Sequence, residues 1–356
     1  MTANGKAPGD GRYIDASIGI LAGEGAHQHV ARAEERLEQI AHEAKPADPT
    51  TYYGLPALKE PVWKWYIPAY FVTGGTAGAA AVLGAAADVF AEDMDGLVQK
   101  CRWVATIGSA ASTVLLIADL GKPSRFLNMI RVFRPTSPMN VGSWILSVFG
   151  TAAGASVVLD AVPGLGAVAG TAAVASGLTG AAMTTYTAAL VSNSAIPLWQ
   201  EIRRSLPSLF AASAASSAMG VLGLMQLDDE EERIVVRFAR ASAVAELISA
   251  GAVHHEAKRV EGVGEPLEQG LSGSLWKAAE VCTAAGLVAS VLPGRGRAKR
   301  ALSSVFLIAG ATAAKFAIFR AGIASARDPK STFALQRAGR GGEGATGRRA
   351  VAGPCA

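Results

Sequence analysis

The sequence predicts an all-α membrane protein that crosses the bilayer with about eight helices, and three observations predict it. The 356-residue chain is 50% hydrophobic but only 17% charged, against about 25% charged residues in an ordinary soluble domain. Its mean hydropathy is +0.29, and its charges cluster at short intervals between long apolar runs. A bilayer core about 30 Å thick takes roughly 20 apolar residues per helix, which those runs supply. The apolar residues are mostly Ala, Gly, Val and Leu, with 6% aromatics. Lipid gives helices no hydrophobic reason to associate, and small residues permit the close packing that replaces it. Gly74 and Gly78, Gly150 and Gly154, and Gly166 and Gly170 are spaced four apart for that purpose.

Residues 1–59 are polar. No positive n-region precedes an apolar h-region, so a signal peptide is not expected. From His27 to Ala44 the chain reads as a soluble helix with a thin apolar stripe of Val30, Leu37 and Ile40, either solvated or docked on a partner. The apolar segments fall at about 67–90, 102–118, 141–162, 164–191, 207–227, 235–253, 275–292 and 301–320, with a tight turn at Pro163-Gly164 between the third and fourth. Residues 323–356 read as a polar, disordered tail. Eight crossings put both termini on one side. Lys and Arg near the helix ends outnumber those on the other side, which predicts cytoplasmic termini, although the run from Arg295 to Arg300 opposes this.

The chemistry-bearing residues narrow the function. Cys101, Cys282 and Cys355 lie far apart with no CxxC. An iron–sulfur cluster usually needs four thiolates, so none is expected in this chain. His27, His29 and His42 lie in the polar tail, and His254 and His255 sit at one helix end. No inward-facing histidine pair is available for haem. Glu246, Glu280 and Lys315 fall inside apolar segments, where charges are costly and default to function. They read as a buried structural pair or as steps in a proton path.

The stretch from Asp119 to Trp144 is longer than a helix–helix connection needs to be. It combines Lys122, Arg125, Arg131 and Arg134 with Phe126, Phe133 and Trp144. Such a segment can lie in the interface with its rings in lipid and its charges in water. This loop resembles the signature loop of the NrfD/PsrC-like family, the membrane subunits of polysulfide reductase and related molybdoenzyme complexes. A second similarity precedes the first apolar segment: Tyr53-Gly54-Leu55-Pro56, then Glu60, Trp63, Trp65, Tyr70 and Gly74-Gly75. A third closes the fourth segment: Tyr186-Thr187, Leu190 and Pro197-Leu198-Trp199. The resemblance covers about residues 52–320.

The resemblance implies two four-helix bundles, at 60–206 and 207–322, in a bacterial inner (cytoplasmic) membrane. It implies a quinone (menaquinone or ubiquinone) in the first bundle, bound by Tyr70, Asp119, Asn140 and Tyr186. The implied partner is a four-cluster, ferredoxin-like iron–sulfur subunit, docked through Arg125, Arg131 and Arg134, and beyond it a molybdenum or similar catalytic subunit. Nothing points to nucleic acid. The family's polysulfide reductase subunit has a histidine at the place aligned with Tyr70, and an asparagine where this chain has Ile67. Two rivals stand beside this expectation: a secondary transporter using Glu246, Glu280 and Lys315, and a structural anchor whose quinone site has decayed.

Overall fold

The computed structural model describes residues 13–15, 20–22, 58–91, 93–293 and 296–337. The chain divides into two units, 1–55 and 56–356. In the first, β1 (Tyr13–Asp15) pairs antiparallel with β2 (Ile20–Ala22), Ile14 opposite Leu21. The expected 27–44 helix and the Tyr53–Pro56 motif lie outside the described residues.

The second unit is helical. Its long helices are α1 (Tyr66–Phe90), α2 (Asp95–Asp119), α4 (Pro138–Asp160), α5 (Gly166–Ser192), α7 (Leu206–Leu224), α8 (Asp229–Ala257), α10 (Gly270–Val291) and α11 (Arg297–Arg327). Short helices join them: α3 (Ser124–Arg131), α6 (Pro197–Glu201) and α9 (Glu265–Glu268), with α12 (Pro329–Arg337) following α11. Six long helices, α1, α2, α4, α5, α7 and α11, are apolar enough to cross a membrane by length and composition. Charges dilute the other two: Arg233, Arg237, Arg240 and Glu246 in α8, and Lys277 and Glu280 in α10.

Local signals set the boundaries. Pro138 sits in the first turn of α4, where a missing N–H costs nothing, and the Ser137 hydroxyl accepts from the Asn140 N–H. Asp228 and Glu231 form a reciprocal capping box on α8. Gly164, at φ +85°, makes the turn between α4 and α5, a conformation glycine adopts without Cβ strain. Helix α2 starts seven residues before the expected segment, because Asp95 and Lys100 make its opening turns too polar for an apolar window. Helix α11 runs on to Arg327 and α12 follows it, where a disordered tail was expected.

Helix α1 packs on α2, α5 and α7, and α4 packs on α5 and α2. Helix α11 packs on α10 and α7, and α8 packs on α7 and α10. Small residues make the crossings. A Cβ on Gly78 would lie 2.4 Å from the Gly180 carbonyl oxygen, and one on Gly310 would lie 2.3 Å from Thr283 Oγ1. Of the three glycine pairs in the sequence, only Gly74 and Gly78 make such close contacts. Gly154 and Gly166 face open space, and Gly150 and Gly170 make only ordinary contacts.

The helix ends away from the termini are tied by ions. Lys100 pairs with Glu231 at 2.5 Å, Arg102 with Asp160 at 2.8 Å, and Arg300 with Glu232. The opposite ends are fastened by Trp199. Its Nε1 donates to the Ile318 carbonyl at 2.9 Å, and its ring stacks on Trp63 with centroids 6.1 Å apart.

Candidate functional site

Tyr70 lies one turn into α1, and Tyr186 lies in the last two turns of α5. Both are buried, at 2% and 9% exposure, in one cluster with Phe71, Leu116, Leu146, Phe149 and Met183. The two phenols lie within electrostatic reach of each other. Among the described residues neither phenol oxygen has a hydrogen-bond partner, which is uncommon for a buried tyrosine. Gly142 of α4 holds the Tyr186 ring. A Cβ there would lie 1.9 Å from the phenol oxygen, so no larger residue fits while Tyr186 keeps its place. Gly74 does the same for Met183, whose Cε would lie 2.6 Å from an added Cβ.

The two other predicted quinone ligands sit at the same end of these helices with different contacts. Asp119 closes α2, and its Oδ1 accepts from the Lys64 N–H at 3.1 Å, joining the entry of α1 to the exit of α2. Asn140 uses its whole amide on the signature loop. Its Nδ2 donates to the Met129 and Val132 carbonyls at 2.5 and 3.0 Å, and its Oδ1 accepts from the Arg134 N–H at 2.6 Å. It holds the chain that follows α3 in a compact turn.

That loop carries the predicted docking cations. Arg125 is half-buried and donates to the Leu120 carbonyl at 3.2 Å. Arg131 and Arg134 are exposed, without a side-chain partner among the described residues. Leu127, Val132 and Phe133 are exposed beside them, and Phe133 meets Trp144 edge-on at 5.9 Å.

The three charged residues inside the helices are not equivalent. Lys315 is 1% exposed; its Nζ donates to Ser213 Oγ at 2.7 Å and sits 5.6 Å from the centre of the Phe210 ring. Glu246 is 3% exposed, with Ser216 and Lys315 as polar neighbours, and it forms no direct ion pair among the described residues. Glu280 is half-buried and lines the same pocket as Glu246. Sequence reasoning missed Gly142, Ser213, Ser216 and Trp276. Gly142, Ser213 and Ser216 look like ordinary helix filler in a Gly-, Ala- and Ser-rich chain, and for Trp276 only the packing shows which way the ring turns.

A sequence model of the NrfD_2 family, described as polysulfide reductase, matches residues 49–327. No curated protein sequence matches the chain significantly.

Proposed function

The chain belongs to the NrfD family of polysulfide reductase proteins, membrane subunits of quinone-interacting oxidoreductases, and on that premise we propose that it binds a quinone between Tyr70 and Tyr186 and serves an iron–sulfur partner at the signature-loop surface. One observation carries this reading: two buried tyrosines whose phenol oxygens have no hydrogen-bond partner among the described residues, together in an aromatic and aliphatic cluster near one end of the helices. A ligand site of this kind is an apolar slot with a few placed donors. The residues present fit a quinone: flat apolar walls from Phe71, Leu146 and Phe149, and phenol donors spare for carbonyl oxygens.

When bound, the quinone supplies two-electron, two-proton chemistry. The chain's own residues do the rest. Tyr186, pressed against Gly142, offers its proton at a fixed point. Asp119, half-buried at the end of α2, stands where water and the slot meet and can hold a proton in transit. Asn140 keeps the loop folded, so that Arg125, Arg131 and Arg134 stay near the slot and can pair with carboxylates of a partner, in the bidentate geometry open to arginine. An electron carrier that remains in water must come close to the quinone, and the loop places the docking cations at that same end.

The same reading has eight helices crossing in two groups, both termini in the cytoplasm, and a catalytic subunit beyond the iron–sulfur partner. The family match leaves the transporter reading without support. The test is Tyr186→Phe in the assembled complex. A lost hydrogen bond to a neutral partner is worth about 1 kcal/mol, more where charge develops on the acceptor. Quinone turnover should fall several-fold while partner assembly stays normal. Unchanged turnover and unchanged affinity for a quinone-site inhibitor would remove Tyr186 from the slot.

A further inference from the structure

Between α7, α8, α10 and α11 lies a small, partly open pocket, lined by Leu209, Glu246, Trp276, Ala279, Glu280 and Thr283 among others. It is separate from the Tyr70–Tyr186 slot. Two of its lining residues carry buried polar atoms without a well-formed hydrogen bond among the described residues: both carboxyl oxygens of Glu246, with the Ser216 hydroxyl close by, and the indole Nε1 of Trp276. Away from bulk water, each such group is costly if left bare. An ionised carboxylate costs more, and must be solvated, paired or protonated.

We infer that this pocket is a hydrated proton-exchange site, in which Glu246 binds and releases a proton through water that enters past Glu280. The pocket has room for about one water, and a water there finds the two to four polar partners it needs. The indole donates to such water, the carboxyl accepts from it, and Thr283 can do either. The step is simple: the Glu246 carboxylate takes a proton from hydronium, leaving a neutral carboxylic acid and water, and no redox partner is required.

The charges facing Glu246 favour a proton over a metal cation. From α11 comes Lys315, from α10 comes Glu280, and from α7 come only hydroxyls and apolar groups. Lys315 already provides the positive charge. It also faces the proposed quinone slot: a Cβ on Gly75 would lie 3.7 Å from its Nζ, and Phe210 and Phe71 form a continuous ring contact from it to Tyr70, with centroids 5.9 Å apart at each step. If the quinone reading above holds, charge arriving at Tyr70 is felt at Lys315, and through it at Glu246.

The probe is dicyclohexylcarbodiimide, a lipid-soluble reagent that adds only to protonated carboxyls, applied to the intact protein in lipid vesicles. Mass spectrometry should find the adduct on Glu246, increasing as pH falls, and should lose it in Glu246→Gln. As a second readout, the infrared carbonyl band of a protonated carboxyl should shift in D2O and vanish in the same variant. Protection from the reagent by sodium chloride, but not by choline chloride, would make this a metal-cation site and overturn the proposal. Absence of both adduct and exchangeable band would overturn it as well. Neither readout needs quinone turnover, so failure of the quinone reading would show only in the Tyr186 experiment.

Discussion

The helices α1, α2, α4 and α5 and the helices α7, α8, α10 and α11 bury their polar groups differently. In the first set, every buried polar side chain is neutral, among them Thr76, Ser109, Ser112, Asn140, Ser156 and Thr187, and the tyrosines lie near one end. The second set buries Glu246 eleven residues before α8 ends and Lys315 twelve before α11 ends, about 16–18 Å from the terminus-side helix ends at 1.5 Å per residue. Neutral hydroxyls suit a slot for an uncharged, lipid-soluble ligand close to a membrane face. Buried charge at mid-helix suits the movement of protons or electrostatic coupling, because a charge taken out of water is costly to keep without a compensating group. The contact between the sets is itself polar: Thr76 Oγ1 and Ser217 Oγ lie 2.7 Å apart.

Three substitutions sharpen that contrast. Lys315→Met should have the largest effect, because it leaves the Glu246 carboxylate without its compensating charge. Removing one member of a buried charge pair costs about 3–5 kcal/mol, and the absence of direct contact here places the loss near the lower end. Thermal unfolding in detergent should show it, and Glu246→Gln combined with Lys315→Met should recover most of it. An additive double mutant would mean the two charges are independent.

Gly142→Ala comes next. The added methyl lands on the Tyr186 ring, and overpacking of this kind costs about 1–3 kcal/mol. The expected signature is a fall in quinone turnover at least as deep as that of Tyr186→Phe, with a smaller change in melting. Equal turnover in Gly142→Ala and the native protein would show that the exact seat of the phenol does not matter.

Glu268→Gln should do least. Lys258, 2.9 Å away, holds the Glu268 carboxyl below its ordinary range, with His254 adding to the effect. A depressed carboxylate pKa contributes stability above its unfolded value, and that stability is lost as pH falls through the folded one. Glu268 is fully exposed and its pair is screened by solvent. Melting of the variant should therefore lie only slightly below that of the native protein at pH 7, and the gap should close as pH falls toward 4 and below.

Much of the fold was legible in the sequence, and less of the site. Long apolar runs broken by charge clusters mark membrane helices through hydropathy alone, and the family resemblance was borne out by the match over residues 49–327. Helix ends were less legible, because α2 and α11 continue through polar turns that no apolar window registers. In the site, Tyr70 and Tyr186 stood out through the family resemblance, and the structure buries both in one cluster. Asn140 was read as a quinone ligand from its place beside the loop, yet its amide is fully engaged with Met129, Val132 and Arg134. Sequence position could not reveal that occupancy. Nor could it reveal that Glu246 and Glu280 share a pocket while Lys315 turns toward Ser213, since helix rotation sets those directions.

The Trp199 fastening has a consequence for how the protein is made. The indole meets the carbonyl of Ile318, 119 positions later in the chain, and Leu198 donates to Ser325, 127 positions later. A ribosome adding about 5–20 residues per second needs about 6–24 s to span the first of these gaps. Through that interval the nascent chain holds an unclasped tryptophan beside the newly inserted first helices. Only the emergence of α11 closes the clasp, so the last long helix acts as a completion signal. Chains cut short before it should present a quality-control protease with an open seam.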